Sequence, residues 1–297
     1  MFCASLLLWC SISICVCAQG IGNAAVITKK DSTNNSTNGK SSFKIGISYA
    51  NNNVYLGRSD TVKTTIFSPN AKYTFANGIF ISGNLSIIPN EAKKLNGGEF
   101  SAGYDHDFTD NLSAGLSYSK LFYNVNSTQV GAGISDVFDG NINYDFGDVL
   151  TATFNGDYNI NRKGTGNDVL LNFGLNHDFA SKGVFGSNDM IIVSPTVSVN
   201  AGTQNFYNNF FVRRRLKNAQ LLAAQTKLLT QYQAQLSQFN LLDYEFSAPI
   251  EYRNNSFIFT LIPTYSIAKN KLASGVIPGQ SSKNNLFYFE ASVALKF

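Results

Sequence analysis

The sequence predicts an all-β protein: an antiparallel transmembrane β-barrel of about 12 strands, with one helical extramembrane loop inserted at about 205–238. Three observations predict this class. Segments in which apolar and polar residues alternate with period 2 recur along residues 42–297 and are separated by turn residues. The links between them are alternately short and long, as in outer-membrane barrels. The chain holds 24 Phe and 14 Tyr but only 14% charged residues, which suits a protein that shows aromatic side chains to lipid.

The first 41 residues precede the alternating region. Residues 1–18 are uncharged and mostly apolar, and they end in Val16-Cys17-Ala18, which suits signal-peptidase cleavage although no Lys or Arg follows Met1. We therefore predict a signal peptide at 1–18 and, from the polar composition of 19–41, a flexible periplasmic leader. All four cysteines lie within 1–18, so the mature chain would have no disulfide, thiol nucleophile or Cys-based metal site.

The strands follow from the alternation, taken in order. In the first strand, Phe43, Ile45 and Ile47 share one face. The fourth and fifth strands alternate in the same way and are joined by a turn at Thr109-Asp110-Asn111. Ala76-Asn77-Gly78 is another hairpin signal, and Pro69 makes the second strand irregular. The predicted strands lie at about 42–50, 62–75, 79–88, 100–108, 112–119, 138–146, 150–160, 169–179, 191–199, 244–252, 257–267 and 286–297.

The last strand carries a resemblance. It reads LFYFEASVALKF and places Phe287, Phe289, Ala291, Val293, Leu295 and Phe297 on one face. It resembles the C-terminal strand of Gram-negative outer-membrane β-barrels. The resemblance implies an outer-membrane location, lipid and lipopolysaccharide as surroundings, and Phe297 with Phe289 as the signal read by the barrel insertion machinery.

The opposite face of the strands is polar and is predicted to line the lumen. The candidate lumen-facing residues are Asp139, Asp145, Asp157, Asp243, Glu245, Glu251, Glu290 and Lys44. Such a wall would favour cations or neutral polar solutes over anions if the pore is open. A closed lumen filled by hydrogen bonds and ion pairs fits the same residues equally well.

The longest link, 203–238, contains a Leu-, Ala- and Gln-rich segment that predicts a helix with one apolar stripe. Arg213, Arg214, Arg215 and Lys217 begin it and are candidate anion contacts. A helix folded inward could gate the pore, whereas one folded outward could contact lipopolysaccharide or a partner. A solvated helical loop without either role is the third alternative.

We find no basis for catalysis, a cofactor or a metal. Each histidine, His106 and His177, shares the outward face with aromatic residues, and the neighbouring aspartates point to the lumen, so the pairs predict an interfacial girdle. The Ser–His and acidic motifs of outer-membrane phospholipases and proteases are not matched. The net charge of +4 is too small to indicate nucleic acid. The sequence therefore predicts a small porin-like channel for a polar or cationic solute, with a non-conducting structural or adhesive barrel as the alternative and a hydrolase as a minor one.

Overall fold

The computed structural model describes residues 40–59, 63–124, 127, 129–162, 166–207, 227, 230, 232–272, 281 and 283–297. The predicted signal peptide and almost all of the predicted leader lie outside this part of the chain. Twelve antiparallel strands form the wall, as the alternation predicts. They are β1 Ser42–Ala50, β2 Ile66–Thr74, β3 Ile79–Ile87, β4 Leu95–Asp107, β5 Leu112–Tyr123, β6 Ile134–Phe146, β7 Leu150–Asn161, β8 Asp168–Asn176 with Phe179–Lys182, β9 Asp189–Val193 with Thr196–Gly202, β10 Asn240–Ser247 with Ile250–Asn254, β11 Phe257–Ala268 and β12 Asn285–Lys296.

The sheet closes on itself. Each strand pairs with its neighbours in sequence, and β12 pairs with both β11 and β1. In the seam with β1, the paired residues run from Lys44 opposite Lys296 to Ala50 opposite Glu290. Just beyond Lys44, the Phe43 and Phe297 backbones exchange two hydrogen bonds of 3.0 and 2.8 Å. Closure leaves no strand of the wall with an open edge, which a sheet in lipid requires.

Three predicted strands are not continuous, and the prediction is wrong in this detail. The strands at 169–179, 191–199 and 244–252 each break into two segments, β9 at Ser194-Pro195 and β10 at Ala248-Pro249. Proline has no N–H to donate to the ladder, so a strand that contains one loses pairing there. The β8 break lies opposite Pro195, whose carbonyl accepts the His177 N–H at 3.3 Å.

Side chains alternate across the wall as the sequence predicts. Outward residues are exposed and apolar, with Leu116 at 71%, Phe122 at 56% and Phe138 at 49% relative exposure. Inward positions instead hold buried Ser, Thr, Asn and acidic residues. This is the reverse of a water-soluble barrel, because a band of exposed apolar side chains around the whole wall is stable only in lipid. No helix among the described residues is long and apolar enough to span a membrane.

We predict that an arginine is tolerated on one face of β5 and not on the other. Leu116→Arg places a charge on the lipid-facing surface near the middle of the strand and should cost about 2–4 kcal/mol of unfolding free energy. Ser117→Arg is the matched control, because Ser117 faces the lumen opposite Asp139 and should cost less than about 1 kcal/mol. Urea unfolding from phospholipid vesicles measures both, and equal costs would contradict the assigned faces.

Candidate functional site: the barrel lumen

A row of amides crosses the lumen wall at one level of the sheet. Asn141, Asn155, Asn172, Asn200 and Asp243 lie opposite one another on β6 to β10. Asn155 Nδ2 donates to Asn172 Oδ1 at 3.1 Å, and Asn172 Nδ2 donates to Asn200 Oδ1 at 2.8 Å. The series ends on Asp243, which accepts from Asn200 Nδ2 at 2.8 Å. These residues, called the amide row below, form a neutral hydrogen-bonding surface that ends on one carboxylate.

The acidic candidates all lie on the lumen side, and the fold brings some of them together. Asp243, which is fully buried, also accepts the Ser266 hydroxyl at 2.8 Å, and two residues along the strand Glu245 accepts the Tyr288 hydroxyl at 2.9 Å. Asp139 lies directly opposite Asp157 on β6 and β7. The others are spread over separate strands: Asp145 accepts the Thr151 hydroxyl, Glu251 pairs with Arg253, and Glu290 is buried on β12.

Lys44 lies on the inward face of β1 and is flanked by two more lysines. Lys296 on β12 and Lys72 on β2 lie directly opposite it, one on each side. Lys72 Nζ is 3.6 Å from a carboxylate oxygen of Asp105 and 3.8 Å from the centre of the Phe80 ring. The alignment of the three lysines in one row depends on the strand register.

A hairpin inside the lumen is the main feature that sequence analysis missed. Val54–Tyr55 and Arg58–Ser59 pair in the link between β1 and β2, and we call residues 54–59 the plug hairpin. Leu56 and Gly57 connect them with φ of 49° and 71°, as in a type I′ turn. A Cβ on Gly57 would lie 2.9 Å from the Ala268 Cβ on β11, so the turn is pressed against the wall. The sequence feature that could have indicated this hairpin is the run Val-Tyr-Leu-Gly at 54–57, which interrupts an otherwise polar link between β1 and β2.

Arg58 fixes the plug hairpin to three other parts of the chain. Its side chain is fully buried. One terminal nitrogen donates to the Leu242 carbonyl at 2.8 Å and to the Leu56 carbonyl, and the other donates to the Lys269 carbonyl at 2.7 Å and Gln204 Oε1 at 3.0 Å. The guanidinium therefore holds together the hairpin, the start of the 203–238 link, the beginning of β10 and the residue that follows β11.

The plug hairpin belongs to an apolar cluster within the end of the barrel that carries the long links, which we call the outer end because the long loops of outer-membrane barrels face outside. Its buried members come from the wall, from the plug hairpin and from the links between strands, and we call them the loop plug: Tyr55, Leu56, Leu121, Val130, Ile134, Leu170, Phe206, Tyr207, Leu236, Leu242 and Leu272. The wall members lie on β5, β6, β8 and β10, so the cluster extends across the lumen. Val54 extends the contact to β12, where it packs on Leu286 and Tyr288.

Both ends of the 203–238 link turn into this cluster. Residues 206–207 and 232–236 are helical, and Phe206 and Leu236 are fully buried. Asp168 on β8 fixes the first end by accepting the backbone N–H groups of Asn205 at 2.6 Å and Phe206 at 2.8 Å. The predicted helix is thus present where the link is described. The candidate anion contacts Arg213, Arg214, Arg215 and Lys217 lie outside the described residues.

Two ionisable groups of the links are perturbed by this packing. Complete burial, with the nearby carboxylates of Asp168 and Asp157, raises the pKa of Tyr55 well above its usual value of about 10. Partial burial, with the charge of Arg58, lowers the pKa of Lys271. A neutral phenol is therefore part of the plug, and its Oη accepts a hydrogen bond of 3.4 Å from Asn159 Nδ2 on the wall of β7.

The two histidines lie on the outer surface with aromatic neighbours, in keeping with the predicted girdle. His106 stacks on Tyr104 and meets Phe108 edge-on, and His177 meets Phe179 edge-on with ring centres 4.5 Å apart. Phe297 is 68% exposed on the outer face, and Phe289 packs on Tyr49. Their use as an insertion signal stays a prediction. Among the described residues no group of three or more His, Cys, Asp or Glu could hold a metal ion.

The architecture defines the class of protein: a transmembrane β-barrel of 12 strands whose inward face is largely polar. No protein-family model matches the sequence, and no curated protein is similar to it. Solved structures with a similar fold include the KdgM porin (10% identity, 86% of this chain and 99% of that chain, TM-score 0.47). The NanC porin has a similar fold at 10% identity, over 86% of this chain and 98% of that chain, with a TM-score of 0.44. LpxR from Salmonella typhimurium has one at 11% identity, over 85% of this chain and 99% of that chain, with a TM-score of 0.41. At these identities the similarity concerns the fold alone.

We predict that Arg58→Met loosens the plug. The substitution keeps the length of the side chain but removes its hydrogen bonds to Leu242, Lys269 and Gln204, each worth about 1.5–3 kcal/mol for a charged donor. Amide exchange at Gln204 and Lys269 should accelerate at least about tenfold. Arg162→Met is the control, because Arg162 also donates to two carbonyls, of Leu121 and Tyr123, without touching the plug hairpin. Unchanged exchange in Arg58→Met would contradict the role of Arg58.

The raised pKa of Tyr55 predicts a pH dependence of the plug. The folded state holds the phenol proton more tightly than the unfolded state, so this contribution to stability is present below pH of about 10 and is lost as pH rises above it. Tyr55→Phe cannot ionise and should show a smaller loss of plug stability above pH 10. Exchange of the Gln204 amide in wild type and variant measures the difference, and parallel pH profiles would contradict the prediction.

Proposed function

We propose that the protein is a small porin-like diffusion channel for polar or cationic solutes, closed at its outer end by the loop plug and opened when the plug moves. The observation that carries the proposal is the contrast between the two parts of the interior. The wall presents many buried Ser, Thr, Asn and acidic side chains to the lumen, whereas the outer end is filled by a separate apolar cluster made largely of links between strands.

The amide row supports a polar solute. Amide oxygen and nitrogen atoms can replace part of the hydration shell of an uncharged solute, so the cost of leaving water is reduced along the wall. The carboxylates of Asp243 and Glu245 close the row at one end, and those of Asp139 and Asp157 lie on the neighbouring part of the wall. Carboxylates facing a narrow lumen favour cations over anions.

The plug supports regulation of the channel. It is held by Arg58, by Asp168 and by apolar contacts, and the plug hairpin and Phe206, Tyr207, Leu236 and Leu272 belong to links between strands. Links can move without opening the closed ladder of the wall, because their backbone bonds are not part of it. A transition between a plugged and an open lumen is therefore compatible with an unchanged barrel.

Planar-bilayer recording on the refolded full-length protein tests the proposal. We expect the wild type to be mostly closed and Arg58→Met to increase the open time at least about tenfold, since it removes hydrogen bonds worth more than about 1.4 kcal/mol. A second variant replaces 203–238 with a short Gly-Ser turn, which is feasible because Gly202 lies opposite Asn240. It should conduct continuously and prefer K⁺ to Cl⁻.

The deletion variant also separates the two functions considered. A non-conducting structural barrel would stay silent even without the 203–238 link, and that result would contradict the channel. Conductance equal in the wild type and in both variants would leave the channel but remove the proposed gate. Arg162→Met serves again as the control and should record like the wild type.

A further inference from the structure

Four basic residues form an arc at the end of the lumen where the chain termini of the barrel lie. Lys296, Lys44 and Lys72 align directly across β12, β1 and β2. Arg253 on β10 lies on the same inward face. It is opposite Ile258 of β11, and Ile258 is opposite Ala294 of β12. Ala294 shares the inward face with Lys296 because the two residues are two positions apart on one strand. The Arg253 side chain is 15% exposed and pairs with Glu251. We call Arg253, Lys296, Lys44 and Lys72 the basic arc.

This alignment is electrostatically unfavourable by itself. Directly opposed side chains in a sheet have Cβ atoms about 4.5–5.5 Å apart, and like charges at such positions destabilise the pair. Here three lysines are opposed in succession on adjacent strands. An anion that binds between the ammonium groups would turn this repulsion into attraction, and Lys ammonium groups are effective point charges for oxyanions.

Acidic residues lie at the same end of the barrel, and Glu251 contacts the arc through Arg253. Asp105 and Asp107 on β4 and Asp145 on β6 are inward positions near the turns that follow those strands. Asp105 approaches Lys72 at one margin of the arc, at 3.6 Å. The lysines on β12, β1 and β2 therefore form the basic part of this mouth, the Arg253–Glu251 pair on β10 lies beside them, and the aspartates lie on β4 and β6.

We propose that the basic arc is a binding site for the oxyanion of a small solute, a carboxylate or a phosphate. The Lys44 and Lys296 ammonium groups bind the oxyanion from the two sides of the β1–β12 seam, and Lys72 and Arg253 flank it. The site itself does not depend on whether the barrel conducts. Its role in transport rests on the proposed channel: a solute with both an ammonium and an oxyanion group, such as an amino acid, can face the aspartates and the lysines of the mouth at once.

The site is tested by ³¹P NMR of inorganic pyrophosphate titrated with the refolded full-length protein at low ionic strength. We expect saturable line broadening with the wild type, and an apparent affinity at least about tenfold weaker for Lys44→Gln/Lys296→Gln. Lys44→Arg/Lys296→Arg keeps the charges and should retain binding. Lys93→Gln is the control, because Lys93 is an exposed lysine in the link between β3 and β4, at the opposite end of the barrel from the arc. Circular dichroism checks that each variant folds.

Succinate added to the same titration tests the breadth of the site, and it should displace pyrophosphate because a carboxylate offers the same oxyanion chemistry. Absence of saturable broadening would overturn the proposal. So would an equal loss of affinity in Lys93→Gln, which would mean diffuse attraction to a basic protein, or failure of succinate to compete. None of these measurements uses conductance. A barrel that binds oxyanions at the basic arc but does not conduct is therefore distinguished from one that conducts but does not bind them.

Discussion

The need to pair every backbone polar group in lipid dominates this structure. A sheet in a membrane must close, and closure here depends on the β1–β12 seam between Lys44–Ala50 and Glu290–Lys296. Once the sheet is closed, the alternation of side chains fixes everything else about the wall. Apolar residues must face lipid, so most of the polar ones take inward positions, and the wall supplies only part of the apolar cluster in the interior. The apolar cluster of the interior is accordingly built largely from the links between strands.

The loop plug depends in turn on a buried charge. A buried guanidinium is costly unless its donors find acceptors, and the two terminal nitrogens of Arg58 keep theirs only while the Leu242 and Lys269 carbonyls and Gln204 are in place. When one partner of Arg58 is lost, the guanidinium holds the remaining partners less firmly. Partial opening is therefore unfavourable, and the plug favours a fully closed or a fully open state. Leu56, a non-glycine residue at φ 49°, adds backbone strain that its burial in the cluster offsets. Both features indicate that the hairpin is held in place by its surroundings and has little stability by itself.

The alternation of the sequence predicted the strand count, the faces and the closed barrel, because period 2 is a local property that each segment carries by itself. It could not predict which inward residues meet, since Asn155, Asn172 and Asn200 become neighbours only through the stagger of the strands. The breaks at Pro195 and Pro249 were missed because the flanking alternation continues through them. The plug hairpin was missed because its apolar residues are few and their partners, such as Leu242, are about 180 positions away.

The interior has a different chemistry at each level, and the order matters for passage. From outside, a solute first meets the loop plug, then the amide row with its carboxylates, and last the mouth where the basic arc faces Asp105 and Asp145. Uniformly acidic walls would hold a cation along the whole path, which slows its exit. The basic part of the inner mouth offsets that attraction, and conduction requires binding that is favourable at entry and weak enough for release. On this reasoning the lysines of the seam serve release of cationic groups as well as contact with oxyanions, and both follow from the same alignment of Lys296, Lys44 and Lys72.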